Sequence, residues 1–289
     1  MKLLLTGSTG FIGSHFTHLT HPFTLVPFSF TEGDIDALYL GGIDAIVHLG
    51  ALVHQMDGAE TERYEAINVT RTIELALKAK QSGVRKFLFM SSVKVYGEES
   101  DEPYTETSLC CPQDEYGKSK FRAEQELFAL SDGHFVVSVI RTPVVYGSGV
   151  KGNIKSLIDW IRGPAVFPFH DTRNLRSMVY VGNLCALMKA VLHDEQGGVF
   201  LASDDRPIST TEFIRQIAVA MEKKPLFIPV PFFESILRAL KPALHQRLFG
   251  NLYVDNRETR SRLNFHNPFT IEEGIAMMIK GDDDAQTGF

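Results

Sequence analysis

A tyrosine and a lysine are spaced so that they could act together. The segment "YGKSK" places Tyr116 and Lys120 four residues apart in a stretch with the periodicity of an amphipathic helix. Four residues are slightly more than one helical turn, so both side chains rise from the same face. Pairs of this kind also occur on ordinary helix surfaces, and the spacing alone therefore assigns no function.

Three glycines follow the first predicted strand. The sequence "LLLTGSTGFIGSH" places Gly7, Gly10 and Gly13 between an apolar run and the start of a predicted helix. Glycines at this spacing allow a tight turn and let backbone amides approach a pyrophosphate, which the helix N-terminus attracts. The strand before the motif and the helix after it favour a dinucleotide-binding site over a purely structural turn.

The end of the second predicted strand does not decide between NAD and NADP. An acidic residue there would bind the adenosine ribose hydroxyls, and a basic one would accommodate a 2'-phosphate. This strand ends in Phe28 and Ser29, and Glu32 and Asp34 come a few residues later. We expect NAD as the cofactor and leave NADP open.

Apolar runs of strand length alternate with longer periodic segments in the first half of the chain. This pattern is typical of the α/β class, with a Rossmann-type doubly wound parallel sheet covered by helices on both faces. The predicted strands are Lys2 to Thr6, Phe23 to Phe28, Asp44 to Gly50, Lys86 to Ser91 and Phe135 to Arg141, and the clearest predicted helices are Glu60 to Gln81 and Tyr116 to Leu130.

The pattern changes after about Val150, where shorter helices and proline-marked loops begin. We expect a dinucleotide-binding domain over 1–150, which also includes about 176–202, and a smaller C-terminal substrate-binding lobe over 151–289. The acidic end "GDDDAQTGF" is predicted to fray. Its carboxylates near Asp283 are predicted to be solvated and not to form a metal site.

Composition limits the class of protein. The 289 residues are 44% hydrophobic and 22% charged, which is ordinary for a globular protein, and the net charge of -6 argues against nucleic acid as a partner. No apolar run is long enough for a signal sequence or a membrane span. The three cysteines form neither a disulfide framework nor a metal-ligand pattern. We therefore expect a cytoplasmic protein that has no metal and binds no membrane.

The remaining motifs lie at or near the ends of the predicted strands. In chain order they are the glycine turn, "GDID", "HLGA", "INVTRT", "SSVKVYG", "YGKSK", "RTPVVYG" and "RSMVYVGNL". In this order and spacing, over nearly its whole length, the chain resembles the extended short-chain dehydrogenase/reductase family. The resemblance is to the NAD-dependent epimerase/dehydratase branch, which acts on nucleotide sugars.

The resemblance implies that Ser92, Tyr116 and Lys120 form a catalytic triad. Ser92 would hydrogen-bond the sugar oxygen, Tyr116 would exchange a proton with it, and Lys120 would hold the nicotinamide ribose. A free tyrosine has a pKa near ~10, so it is a poor base at neutral pH unless a cation stabilises the phenolate. We expect Lys120 to be that cation.

The resemblance also implies the binding residues. The predicted cofactor contacts are Gly7, Thr9, Gly10, Phe11, Ile12, Gly13, Asp34, Ile35, Leu49, Gly50, Ala51, Ser91, Tyr116, Lys120, Pro143 and Val144, with Asp34 and Ile35 flanking the adenine. The predicted substrate contacts are Ser92, Tyr116, Asn153 and Arg176.

Three other residues stay open to two interpretations. The planar guanidinium of Arg176 suits a nucleotide diphosphate, but this residue could instead lie on the surface of a strand. Lys94 could lie near the site or face solvent, and we assign it no role. His48 is expected to be a core-edge histidine satisfied by backbone groups, with lining of the cofactor cleft as the alternative.

The residues after Ser92 bear on the reaction. In the 4,6-dehydratases of this branch an Asp-Glu pair follows the catalytic Ser or Thr, whereas Val93 and Lys94 stand here. Dehydration is therefore disfavoured, and the resemblance leaves a 4-epimerase or a 4-keto-reductase. We expect an epimerase that acts on a UDP-hexose or a derivative. A non-catalytic dinucleotide-binding sensor or scaffold is the third alternative, which the intact Ser92, Tyr116 and Lys120 disfavour.

Two expectations concern the architecture. Only 35 positions separate Gly13 from His48, fewer than relatives usually need for the second and third strands with their helices, so this part of the cofactor lobe is predicted to be shortened. The resemblance also implies a homodimer, in which the helices Glu60 to Gln81 and Tyr116 to Leu130 of two subunits form a four-helix bundle.

Overall fold

The computed structural model describes residues 1–19, 22–30, 32–52 and 61–287. In chain order, the strands and α-helices of these residues are β1 (Lys2–Thr6), α1 (Phe11–His18), β2 (Thr24–Phe28), β3 (Ala45–His48), α2 (Thr61–Tyr64), α3 (Arg71–Gln81), β4 (Lys86–Ser92), α4 (Glu115–Leu130), β5 (Val136–Thr142), β6 (Val144–Tyr146), α5 (Asn153–Arg162), β7 (Val166–Phe167), β8 (Met178–Tyr180), α6 (Val181–His193), β9 (Gly198–Leu201), α7 (Thr210–Ala220), β10 (Leu226–Phe227), α8 (Phe233–Leu240), α9 (Pro242–Phe249), α10 (Arg257–Leu263) and α11 (Ile271–Thr287).

Six parallel strands form the main sheet, in the order β2-β1-β3-β4-β5-β9. The α/β class and the parallel sheet predicted from the sequence are confirmed, and the five predicted strands begin and end within two residues of the observed ones. Strand β1 lies between β2 and β3, so the chain passes from one side of β1 to the other. Ligands of open parallel sheets bind outside the carboxyl ends of the strands at such a reversal.

Side chains of successive strand residues enter two different cores. Leu3 and Leu5 pack with residues of α1 and α6 on one face of the sheet. Leu4 and Ile46 pack with residues of α3 and α4 on the other face. Because successive side chains of a strand point to opposite faces, an uninterrupted apolar run is what a sheet covered on both sides requires.

The connection between β2 and β3 is short, as the sequence predicted. Its described residues, 29–30 and 32–44, form turns and contain no helix or further strand. Buried side chains of this connection, among them Phe30, Ile35 and Leu40, pack into the same core as α3. The connection thus covers the sheet in place of a helix.

The segment predicted as one helix from Glu60 to Gln81 is helical but not uniform. Glu60 lies outside the described residues. Helices α2 and α3 are joined by a wider turn of π-helix at Glu65–Thr70. Such turns insert one extra residue per helical turn and often occur at functional sites.

The C-terminal lobe has a core of its own. Residues of α5, α7 and α11 supply most of its buried side chains, including Ile158, Ile214 and Met278. The chain end does not fray at Gly281 as predicted, because α11 continues to Thr287 and Asp282 is buried in an ion pair with Arg162 at 2.8 Å. No helix of the described residues is both long and apolar enough to cross a membrane.

Candidate active site

The glycine turn follows β1 and lies close to the backbone of the loop after β3. Gly7 has a φ of +68°, and a Cβ added to it would lie 2.8 Å from the amide nitrogen of Gly50. A Cβ on Gly13 would lie 2.0 Å from the carbonyl oxygen of Gly7. Gly10 precedes the first residue of α1, and no side chain caps that helix. The free amides of the first turn fit the pyrophosphate of a dinucleotide.

The loop after β3 forms the adjacent wall, which contains the predicted contacts Leu49, Gly50 and Ala51. The amide of Gly50 donates to Thr6 Oγ1 at 3.0 Å. Asn68 holds Leu52 at both backbone groups, accepting from its amide at 2.8 Å and donating to its carbonyl at 3.0 Å. Asn68 lies in the π-helical turn and also donates to Ser119 Oγ on α4 at 3.1 Å. Asn68 belongs to the motif "INVTRT", but the motif alone does not reveal that this residue positions the loop after β3.

His48 is part of the interior and not of a ligand site. It is 1% exposed, and its two ring nitrogens contact the hydroxyls of Thr6 at 2.8 Å and Thr72 at 3.0 Å. The expected partners were backbone groups, and that detail was wrong. Burial and, secondarily, the charge of Lys120 lower the pKa of His48 to about 3, so the ring stays neutral.

The connection after β2 contacts an arginine that sequence reasoning missed. Asp34 is exposed and accepts a hydrogen bond from the amide of Asp36 at 2.8 Å, whereas Ile35 is buried in the core. Arg71 packs over the ring of Phe30 at 5.5 Å and donates to the carbonyl of Gly33 at 2.9 Å. Its Nε is buried and has no hydrogen-bond partner in the described part of the chain. A bound dinucleotide could satisfy this donor.

Ser91 and Ser92 are consecutive residues of β4, so their side chains point to opposite faces of the sheet and have different surroundings. The hydroxyl of Ser91 donates to the buried carboxylate of Glu124. This hydrogen bond uses the hydrogen of the Ser91 hydroxyl inside the protein, and contact of Ser91 with the cofactor stays a prediction. Ser92 is the last residue of β4, and its hydroxyl accepts from the amide of Lys94 at 3.3 Å.

Tyr116 is half-buried in the first turn of α4. Its ring meets the edge of Tyr64 at 6.3 Å between ring centroids. Its hydroxyl has no hydrogen-bond partner among the residues that the structure describes. Burial, followed by the neighbouring Asp114 and Tyr64, raises the pKa of Tyr116 above the ordinary value of a phenol.

Lys120 follows Tyr116 by about one turn of α4, and its side chain is buried in the protein interior. Its Nζ donates to the carbonyl of Met90 at 2.8 Å and lies 4.5 Å from the ring centroid of Phe89 and 6.0 Å from that of Tyr116. Burial lowers the pKa of Lys120 to about 7, against the opposing influence of Glu124. Loss of solvent is the main influence on the pKa of both groups. Stabilisation of the phenolate by Lys120 stays a prediction.

The first turn of α4, which contains Tyr116, contacts the turn that follows Ser92. A Cβ on Gly117 would lie 2.7 Å from the carbonyl oxygen of Lys94, so the first turn of α4 rests directly on the turn after Ser92. Asp114 caps α4 by accepting from the Gly117 amide at 2.6 Å. Lys94 forms ion pairs with Asp114 and Glu98 and thereby ties the two turns together. The structure thus gives Lys94 a positioning role.

A buried ion pair joins α4 to β5. Arg141 on β5 donates to Glu124 on α4 at 2.6 Å, and the two side chains are 6% and 1% exposed. Arg141 also lies over the ring of Tyr96 at 4.7 Å. Glu124 is one helical turn beyond Lys120, so the pair fixes the face of α4 that carries Tyr116 and Lys120.

A cavity of about 510 Å³ lies between the end of β5 and the C-terminal lobe. It is lined by Val144, by two of the four predicted substrate residues, Asn153 and Arg176, and by Arg247 of α9, whereas Ser92 and Tyr116 are not among its lining residues. Arg176 is half-buried and donates to the carbonyl of Gly250 at 3.2 Å, so it is not an exposed strand residue. Burial lowers the pKa of Arg176, and the like charge of Arg247 adds to the effect. Nothing in the sequence distinguished Arg247 from the other arginines.

Most of the remaining cavity wall is apolar, apart from the hydroxyls of Ser156, Ser209 and Thr210. Its aromatic members are Trp160, Phe167, Phe169, Phe213 and Phe233. Val144 is 46% exposed and directly follows the buried Pro143. It is the last predicted cofactor contact in the chain and also lines the cavity. An apolar pocket with a few placed cations is typical of a small-molecule site.

These features define an enzyme of the dinucleotide-dependent α/β class. The profile of the NAD dependent epimerase/dehydratase family matches residues 24–202, and the chain belongs to that family. It is 36% identical to a UDP-glucose 4-epimerase of Vibrio cholerae, over 95% of this chain and 93% of that protein. The expected family and enzyme class, a nucleotide-sugar epimerase type similar to UDP-glucose 4-epimerase, are thereby confirmed.

Other relatives agree on the family and on the fold. An N-acetyl-alpha-D-glucosaminyl-diphospho-ditrans,octacis-undecaprenol 4-epimerase of Escherichia coli O157:H7 is 27% identical over 74% of this chain and 66% of that protein. The structure of a UDP-glucuronic acid 4-epimerase from Bacillus cereus in complex with NAD superposes with a TM-score of 0.79 at 19% identity, over 99% of both chains. At that identity the structural likeness establishes the fold.

Proposed function

We propose that the protein is an NAD-dependent nucleotide-sugar 4-epimerase in which Tyr116 is the acid and base. The observation that carries the proposal is the contact of the first turn of α4, which contains Tyr116, with the turn after Ser92. The 36% identity to a UDP-glucose 4-epimerase over most of both chains supports the same activity.

In this proposal, cofactor binding, substrate binding and proton transfer are assigned to different residues. The turn with Gly7, Gly10 and Gly13 holds the pyrophosphate, and Lys120 holds the nicotinamide ribose. Ser92 donates to the sugar oxygen, and Tyr116 accepts its proton and later returns it. Bound NAD supplies a reversible hydride acceptor for the sugar carbon and a positive charge that favours ionisation of a nearby phenol.

Two arginines favour a substrate that carries a diphosphate. Arg176 and Arg247 line the same cavity, and guanidinium groups bind phosphate oxygens through paired hydrogen bonds. A UDP-glucose 4-epimerase of Thermotoga maritima, which shares this fold, was solved with UDP-glucose. We therefore propose a UDP-linked hexose as the substrate.

A second carrier is favoured by the apolar wall of the cavity. The E. coli relative is named for a sugar linked through a diphosphate to a polyprenol, which presents the same diphosphate but an apolar chain in place of a nucleoside. The aromatic residues of the wall, such as Trp160 and Phe167, suit either a uracil ring or an isoprenoid chain.

The first test identifies the nucleotide that the purified protein releases on denaturation. We expect nearly stoichiometric NAD, because an epimerase regenerates its cofactor within each turnover. The protein is then incubated with UDP-glucose, with UDP-N-acetylglucosamine or with the corresponding polyprenyl-diphosphate sugar, and the products are followed by NMR. Formation of the 4-epimer without net consumption of NAD supports the proposal.

Two other outcomes contradict it. Reduction of a 4-keto sugar at the expense of added NADPH or NADH, without epimerisation, indicates the 4-keto-reductase. Tight NAD binding without turnover on any of these sugars indicates a non-catalytic sensor or scaffold.

A further inference from the structure

An exposed apolar ridge runs beside the cavity. It consists of Leu226, Ile228, Val230, Phe232, Ile236 and Leu240, all of them exposed. Leu226, Ile228 and Val230 occupy every second position of an extended segment. Phe232 immediately precedes α8, and Ile236 and Leu240 follow it at successive turns of that helix. Phe232, Ile236 and Leu240 are 79%, 53% and 76% exposed. A contiguous apolar surface of this kind marks an interaction site.

The backbone at Phe232 is strained in a way that keeps its ring in solvent. Phe232 has a φ of +61°, in the left-handed region that bulky residues rarely adopt. The side chain obtains no compensating burial on this surface. Strain of this kind occurs mainly at functional positions, and here it presents an aromatic ring.

The ridge is flanked by positive charge. Between 222 and 247 the chain has five basic residues and two acidic ones, although its net charge is -6. Arg238 pairs with Glu234, but Lys223, Lys224 and Lys241 have no acidic partner among the described side chains. Apolar side chains next to unpaired lysines are the combination that binds the headgroup region of an anionic bilayer.

A second copy of the chain is a poorer partner for this surface. In a twofold contact like patches meet, which would bring the lysines of one copy against those of the other. Addition of a strand to β10 is hindered as well, because Pro225, Pro229 and Pro231 have no amide hydrogen to donate.

We propose that the ridge docks the protein on the surface of an anionic lipid bilayer. The apolar side chains enter the boundary between headgroups and acyl chains, and the lysines contact lipid phosphates. Phe233 of α8 lines the cavity, as does Leu244 of the following helix α9, so docking places the cavity next to the membrane. This departs from our expectation that the protein binds no membrane, and it does not depend on the proposed reaction.

Co-sedimentation of the full chain with lipid vesicles tests the proposal. We expect the protein to sediment with vesicles of phosphatidylcholine and phosphatidylglycerol, and much less with phosphatidylcholine alone. The triple variant Phe232→Ser, Ile236→Ser, Leu240→Ser should need at least about tenfold more lipid for half-maximal binding. Phe232→Asn should also bind less lipid, while its melting temperature stays the same or rises, since Asn tolerates the left-handed region.

Matched controls separate docking from general stickiness. Tyr39 and Leu109 are 85% and 87% exposed but lie outside the ridge, so Tyr39→Ser, Leu109→Ser should bind vesicles like the unchanged protein. Failure of the unchanged protein to sediment with anionic vesicles overturns the proposal, as does unchanged binding by the triple variant. Self-association that the triple variant abolishes, without vesicle binding, would assign the ridge to a second copy instead.

Discussion

At the scale of single residues, the proposed acid and base differ from their free forms in opposite directions. Burial raises the pKa of Tyr116 and lowers that of Lys120 to about 7, so both side chains are displaced toward their neutral forms. The hydroxyl of Tyr116 has no partner among the described residues, and Lys120 donates to a backbone carbonyl. A tyrosine in this state is available to a substrate hydroxyl.

Replacing Tyr116 by Phe tests its proposed role. The variant loses the group that exchanges the proton, and we expect turnover to fall by about 10²-fold or more. The control is Tyr64→Phe, which keeps the ring that contacts Tyr116 and should retain most activity. Both variants should release as much NAD as the unchanged protein. An active, folded Tyr116→Phe enzyme would remove this residue from the mechanism.

The buried Lys120 should make stability depend on pH. Below pH ~7 this lysine is charged in both the folded and the unfolded chain, and the cost of burying the ammonium applies in full. Between pH ~7 and ~10.4 the unfolded chain binds a proton that the folded one has lost, so stability rises with pH.

Comparison with Lys120→Met isolates this effect. In the absence of cofactor, the unfolding free energy of the unchanged protein should rise relative to that of Lys120→Met across this range, by a few kcal/mol at most. Denaturant unfolding at several pH values measures it. Parallel pH profiles for the two proteins would show that Lys120 keeps an ordinary pKa.

At the scale of elements, helix α4 determines the site because its first turn touches the turn after Ser92. Gly117 makes this approach possible, since any larger residue would meet the carbonyl of Lys94. The other face of α4 is fixed by the ion pair of Glu124 with Arg141. The helix is therefore held at both ends of the face that carries Tyr116 and Lys120.

Gly117→Ala should separate α4 from that turn. Because the contacted atom is backbone, we expect a loss of about 1 to 3 kcal/mol in the unfolding free energy and a larger relative loss of activity. Gly133→Ala is the matched control, as nothing lies within 4 Å of its added Cβ. Full activity of Gly117→Ala would mean that the contact does not position Ser92 and Tyr116.

At the scale of the whole molecule, the surface of the helical pair α3 and α4 remains the predicted dimer interface. Arg122 of α4 bridges to Glu65 at 2.8 Å, so the two helical segments form one surface. Leu77 on α3 is 41% exposed. An apolar side chain on a surface of this kind would be buried in a four-helix bundle.

Leu77→Arg should weaken that dimer. We expect the unchanged protein to have the mass of two chains by light scattering and the variant to shift toward one, because an arginine would be buried without a partner. Leu109→Arg serves as the control at an exposed position away from both helices. A dimer unaffected by Leu77→Arg would place the interface elsewhere.

The candidate triad and the shortened connection after β2 were expected from the resemblance to a known family. The local pattern of the sequence itself determined the strands of the main sheet and the glycine turn. These features depend on strand-length apolar runs, on glycine where no Cβ fits and on the helical repeat, and each of them is a short-range property. The same reasoning misjudged the chain end, because Asp282 becomes part of α11 only when Arg162 and the lobe core are present.

Only the tertiary structure decided which distant residues meet and how far their charges are desolvated. Asn68 joins the loop after β3 to α4, Arg71 contacts the connection after β2, and Arg247 lines the same cavity as Arg176. The pKa values of Tyr116 and Lys120 likewise follow from burial, which no spacing reveals. These contacts depend on how separate elements pack, and packing is a property of the folded chain as a whole.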